Sequence, residues 1–90
     1  MDWYVYILLC DEKTFYVGLT SNTDKRLLSH KSGHNLGTKR FTHIKLVYTE
    51  KHTTRKEAER RESQLKRWTH AKKKALIKGD IELLKRLSKS

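Results

Sequence analysis

The chain has one cysteine, Cys10. That excludes an internal disulfide and any zinc site built from several cysteines. Long apolar runs are missing too: nothing approaches the ~20 consecutive apolar residues that a membrane-crossing helix needs, so no membrane partner is expected. Met1-Asp2-Trp3-Tyr4 sets no basic segment ahead of an apolar stretch. No secretory signal is therefore expected, and the expected compartment is cytoplasmic. The histidines at 30, 34, 43, 52 and 70 do not gather at metal-ligand spacing. Acidic residues are scarce, 10 against 21 Lys plus Arg, which leaves a formal charge of +11.

What is present is unevenly placed. Residues 1–50 carry seven basic and five acidic residues, whereas residues 51–90 carry fourteen and five. A basic half of this kind points to a polyanionic partner, nucleic acid before an anionic membrane. At 90 residues the chain is expected to be a single domain spanning 1–90.

Residues 2–10 are rich in strand formers (Trp3, Tyr4, Val5, Tyr6, Ile7), and residues 15–19 read as a second short strand across a polar turn at 11–14. Thr23-Asp24 offers an N-cap for a helix running to about Lys31, stopped by Ser32-Gly33. After a loop over 33–43, Ile44, Leu46 and Tyr48 alternate in a third strand, with Val47 opposite. Thr54 and Glu57 have capping-box spacing, opening a helix to about Trp68. Thr69 and Asp80 cap two further helices, about 70–78 and 80–88, separated by Gly79. The expected class is α+β: a three-stranded antiparallel sheet flanked by helices, in the order β-β-α-β-α-α-α.

Certain residues do not suit a purely structural role. Ala58, Glu62 and Leu65 share one face of the capping-box helix, so Glu62 stands where an apolar side chain is expected. A carboxylate there is neutralised, paired with a cation or bound to a metal. Arg26 and His30 are one helical turn apart and so are neighbours on a helix face, either a phosphate cradle or a solvated surface. Tyr4 and Tyr6 share a strand face, with Tyr16 on the facing strand, an arrangement that marks the amphipathic edge of a core more often than a catalytic group. Gly18, inside a strand, marks a bulge or a close approach.

Taken in order, these residues resemble the GIY-YIG endonuclease superfamily, and in particular its small stand-alone bacterial members akin to the catalytic module of structure-specific junction nucleases. Tyr4-Val5-Tyr6-Ile7 resembles the first motif, with Tyr4 where the family has Gly. Tyr16-Val17-Gly18-Leu19-Thr20 resembles the second, Arg26-x-x-x-His30 the arginine helix, and Glu57 to Glu62 the metal-binding helix. No equivalent of the late asparagine of some members is found among Lys72-Lys73-Lys74 and beyond.

The resemblance implies a metal-dependent endonuclease that hydrolyses DNA phosphodiesters in repair or recombination, with branched DNA among its candidate substrates. It implies Tyr6, Tyr16, Arg26, His30 and Glu62 as catalytic residues, and Glu62 as ligand of one divalent cation, Mg²⁺ or Mn²⁺. Tyr6 is favoured for activating water, with Tyr16 assisting and His30 as an alternative base or proton relay. Lys39, Arg40, Arg61 and Lys66 are the expected nucleic-acid contacts. Two alternative readings are a basic nucleic-acid-binding module without catalysis and a nuclease subunit active only with a protein partner.

Overall fold

The computed structural model describes residues 1–33, 38 and 40–88. Strands β1 (Trp3–Cys10), β2 (Thr14–Thr20) and β3 (Ile44–His52) form an antiparallel sheet in the order β2-β1-β3. Helices α1 (Thr23–Lys31), α2 (Arg55–Lys66), α3 (His70–Lys78) and α4 (Ile81–Ser88) complete the expected order. β1 is central because it is the most apolar segment: Val5, Ile7, Leu8 and Cys10 are all fully buried. A strand covered on both faces must be apolar on both.

Each face has its own core. On one, Val5, Ile7 and Val17 pack with Ala58 and Leu65 of α2, flanked by Trp3, Trp68 and Leu76. On the other, Tyr6, Leu8 and Cys10 pack with Tyr16, Leu27, Phe41, Ile44 and Leu46. The β1–β2 turn has Asp11 and Glu12 at φ 51 and 59, closed by the Lys13 N–H on the Cys10 carbonyl at 3.1 Å. Neither is glycine, and left-handed backbone costs such residues roughly 1–2 kcal/mol each. The Asp11 carboxylate offsets part of this by accepting from the Thr42 and His43 N–H groups at 2.9 and 2.7 Å.

The structure corrects several local expectations. Asn22, not Thr23, caps α1, its side chain accepting from the Lys25 N–H at 3.0 Å, while Asp24 lies in the first turn. The α2 helix stops at Lys66, short of Trp68. Thr54 caps it as expected, but the Glu57 carboxylate takes the Thr53 hydroxyl at 3.4 Å. The alternation in β3 is broken: Ile7 faces Tyr48 but Leu8 faces Leu46, so Val47 is an extra residue. A bulge of this kind turns the rest of the strand over. Tyr48 consequently joins Val47 on the α2 side, while Ile44 and Leu46 stay on the α1 side.

Turning Tyr48 over supplies a network that pins β3 to α2. The Tyr48 hydroxyl donates to Glu50 at 2.6 Å, His52 Nε2 lies 2.6 Å from the same carboxylate, and Arg61 Nε approaches both its oxygens at 3.0 and 3.2 Å. Burial alone would raise the Glu50 pKa, but the Tyr48, His52 and Arg61 contacts hold it below its ordinary value. Tyr48, buried and bonded to Glu50, is pushed up to about 12. Glu50→Ala strips all three partners at once. It should destabilise the protein by about 2 kcal/mol, less than a fully buried pair, because the carboxylate keeps some solvent contact. A thermal melt should fall by on the order of 10 °C, and an unchanged melt would show that the network is decorative.

Candidate active site

Tyr6 of β1 lies opposite Gly18 of β2. A Cβ at residue 18 would sit 2.5 Å from Tyr6 Cζ, so the glycine makes room for the phenol ring rather than for a bulge. Beyond it, the Tyr6 hydroxyl meets His30 Nε2 at 2.9 Å. His30 Nδ1 meets the Thr38 hydroxyl at 2.5 Å. Tyr6, His30 and Thr38 are 3%, 1% and 0% exposed, so this polar chain is shut away from water. Tyr16 also packs edge-on to the imidazole, with ring centroids 5.1 Å apart. Unlike Tyr6, Tyr16 is half-buried, and its hydroxyl makes no hydrogen bond among the described residues.

Burial raises the Tyr6 phenol well above its ordinary 10.0; Tyr16 and Glu62 add to this and Arg26 opposes it. Burial, and then Arg26, lowers the His30 pKa below 6.5. Tyr6 therefore holds its proton near neutrality, and His30 is an uncharged imidazole able to accept one. Arg26 and His30 do not together form a surface phosphate cradle: the imidazole turns inward and only the guanidinium remains outside.

An open cleft of about 670 Å³ lies where β1 begins and β2 ends, lined by Trp3, Thr20, Arg26, Arg55, Glu59 and Glu62 among others. Glu62 sits on the apolar stripe of α2 as expected, its side chain 19% exposed. Its cation neighbour is Lys66 at 3.6 Å, whose side chain is 55% exposed. An ion pair so wet holds the carboxylate only weakly. Arg26 is exposed and forms no ion pair among the described residues. Thus Arg26 and Glu62 share the cleft, which Tyr6, Tyr16 and His30 do not line, although the charges of both reach the Tyr6 phenol and that of Arg26 reaches His30.

The basic residues expected to bind nucleic acid are scattered. Lys39 lies outside the described residues. Arg40 stacks over Phe41 at 4.9 Å in the segment before β3. Arg61 is tied to Glu50 and to Gln64, and Lys66 leans on Glu62. Sequence reasoning missed Thr38, which had no signal inside a loop, and Arg55. The latter lies over Trp3 at 5.1 Å and bonds Glu59 at 2.9 Å within the cleft.

One cleft thus holds an arginine and a carboxylate whose charges both reach the buried Tyr6 phenol of the tyrosine–histidine pair. The GIY-YIG catalytic domain model matches residues 2–75, and the chain belongs to that family. It is 36% identical over 77 residues to a UPF0213 protein of Natronomonas pharaonis, covering 84% of this chain and 91% of that one. A UPF0213 protein of Syntrophus aciditrophicus is 42% identical over 81 residues, covering 88% and 93%. Among solved structures, the solution structure of a UPF0213 protein from Bacillus halodurans superposes with a TM-score of 0.56 at 34% identity, covering 87% and 84%. The solution structure of a protein from E. faecalis gives 0.62 at 34% identity, covering 88% and 85%. Tyr4, standing at the family's glycine, pairs with Thr20 and Lys51 as an ordinary strand residue, so the exchange costs no backbone strain.

The lowered His30 pKa fixes a sign for stability against pH. Below 6.5 the unfolded histidine takes up a proton that the buried one resists, so the unfolded state gains protons first. The melting temperature should fall as pH drops below 6.5, and His30→Asn should blunt that fall. Identical pH profiles for the two proteins would show that His30 does not titrate as a buried group.

Proposed function

We propose that the protein is an endonuclease that hydrolyses DNA phosphodiesters with the help of one divalent cation, acting in DNA repair or recombination with branched DNA among its substrates. The observation that carries this is the shared cleft: Arg26, which forms no ion pair among the described residues, faces the same space as Glu62, and the charges of both reach the buried Tyr6 phenol that bonds His30.

The donor set fits a hard cation. Around Glu62 the cleft offers only oxygen ligands, from Thr20, Ser21, Glu59 and Ser63. Among the described residues no three His, Cys, Asp or Glu side chains gather into a cage. One carboxylate with water completing the shell suits Mg²⁺ or Mn²⁺ and not a structural zinc. When bound, such a cation would offset charge on the phosphate and on the departing oxygen.

The protein's own residues do the rest. Arg26 holds the non-bridging oxygens, for which a planar fork is suited. The Tyr6 phenol is too weak an acid to be ionised beforehand, yet its proton has a destination. With Nδ1–H donated to Thr38, His30 Nε2 accepts the phenol proton as the phenol oxygen, buried at rest and reached by water only once substrate binding opens it to the cleft, takes one from water. The water oxygen bonds phosphorus and the P–O bond to the departing oxygen breaks. Tyr16, edge-on to the same imidazole, assists from the solvent side.

The test is cleavage of a panel of labelled linear and branched DNAs with Mg²⁺, Mn²⁺ or EDTA. Glu62→Gln should abolish cation-dependent cleavage while shifting stability by no more than about 1 kcal/mol, since its Lys66 pair is solvated. Arg26→Ala should slow cleavage by at least about 100-fold, and Tyr6→Phe by a similar factor. Wild-type cleavage rates in a well-folded Glu62→Gln protein would overturn the assignment, and so would a wild type that cuts nothing in the panel.

A further inference from the structure

The cations of α2 and its C-cap residue Arg67 fall into two sets. Arg55 is bonded to Glu59 at 2.9 Å, Arg61 to Glu50 at 3.0 Å and Lys66 to Glu62 at 3.6 Å. Lys56, Arg60 and Arg67 are exposed and form no ion pair among the described residues; Arg67 Nε reaches only the Ser63 carbonyl, at 3.4 Å. At ~100° per residue these three, with Ser63 between them, fall on one stripe about 60° wide. The stripe lies about 120° round the helix from Glu62, with Glu59 and Ser63 in the angle between.

The surface is hollowed along that path. Lys56, Glu59, Arg60, Ser63 and Arg67 line a hollow of about 440 Å³ that shares Glu59 and Ser63 with the cleft. A second, of about 520 Å³, shares Arg60 and Arg67 with the first and extends to His52 and Gln64. From Lys56 to Arg67 the helix rises ~16 Å, about half a turn of duplex DNA. Of the acids near it, Glu59 is neutralised by Arg55, and Glu57, which lines the second hollow, accepts from the Thr53 hydroxyl.

Building on the nuclease reading, we propose that the outer face of α2 is the track for the DNA backbone flanking the scissile phosphate, with Lys56, Arg60 and Arg67 contacting successive phosphates. Arg61 and Lys66 serve the fold and the cleft, not the track. An ion pair already made must be broken before its cation can meet a phosphate. An unpaired cation gives up only water and counterions.

The experiment measures the affinity of the full chain for a labelled DNA duplex against salt. It compares wild type with two triple variants of equal charge loss: Lys56→Gln/Arg60→Gln/Arg67→Gln, and Lys78→Gln/Lys85→Gln/Arg86→Gln on α3 and α4. All six residues are exposed and glutamine keeps helix propensity, so circular dichroism should report both variants folded. The α2 triple should flatten the slope of log affinity against log salt by about 2.7, from roughly 0.9 per phosphate contact. Its affinity should drop by on the order of tenfold or more at physiological salt, with the control triple clearly less affected. Equal losses in the two triples, or none in the α2 triple, overturn the track. If that happens while wild type still cuts DNA, the nuclease reading survives alone. If wild type neither binds nor cuts, both fall.

Discussion

The hydrogen-bonded chain Tyr6–His30–Thr38 is the constraint around which the α1 side of the molecule is arranged. Three polar groups are sealed from water there, and among the described residues each is satisfied by the next. Leaving a buried donor or acceptor unmatched costs about 1–3 kcal/mol. The chain therefore dictates its surroundings. Residue 18 has to be glycine for the ring to lie flat against β2. The α1 helix has to present His30 inward, and the loop after it has to return far enough to bring Thr38 to Nδ1. The same sealing keeps the imidazole neutral and the phenol protonated, which is the state a proton relay requires at rest.

On the far side of the sheet the polar network has a different character. Glu50 gathers Tyr48, His52 and Arg61, and Arg61 in turn lies over Trp68 at 5.1 Å. Here the groups are partly wet and the charges are compensated, so the network anchors α2 without creating a reactive site. The difference between the two networks is one of accounting for charge: one is a neutral phenol–imidazole–hydroxyl chain, the other a carboxylate engaged by three partners.

Much of this was legible in residue order. The element sequence and the antiparallel pairing follow from patterning, caps and the short hairpin connection. Glu62 stood out because an acid interrupted the stripe of Ala58 and Leu65. The β3 bulge was not legible: Ile44, Leu46 and Tyr48 alternate cleanly, and only the pairing with β1 reveals that Val47 is extra. Nor was the division between Arg26 and His30, since helical spacing places them together but does not say which of them the sheet will cover. Thr38 was invisible for a similar reason, because its role depends on where a loop returns.

Charge was where counting misled most. Fourteen basic residues in 51–90 look interchangeable in a sequence. In the folded protein the question is which acids each one reaches, and helical geometry answers it for α2. The cations that flank the core are within reach of Glu50, Glu59 and Glu62 and are taken up by them. Those pointing away from the core form no ion pair among the described residues. A helix packed against acidic partners thus sorts its own basic residues by angle: those nearest the core stabilise the fold or tune the cleft, and those farthest from it are left for an external polyanion.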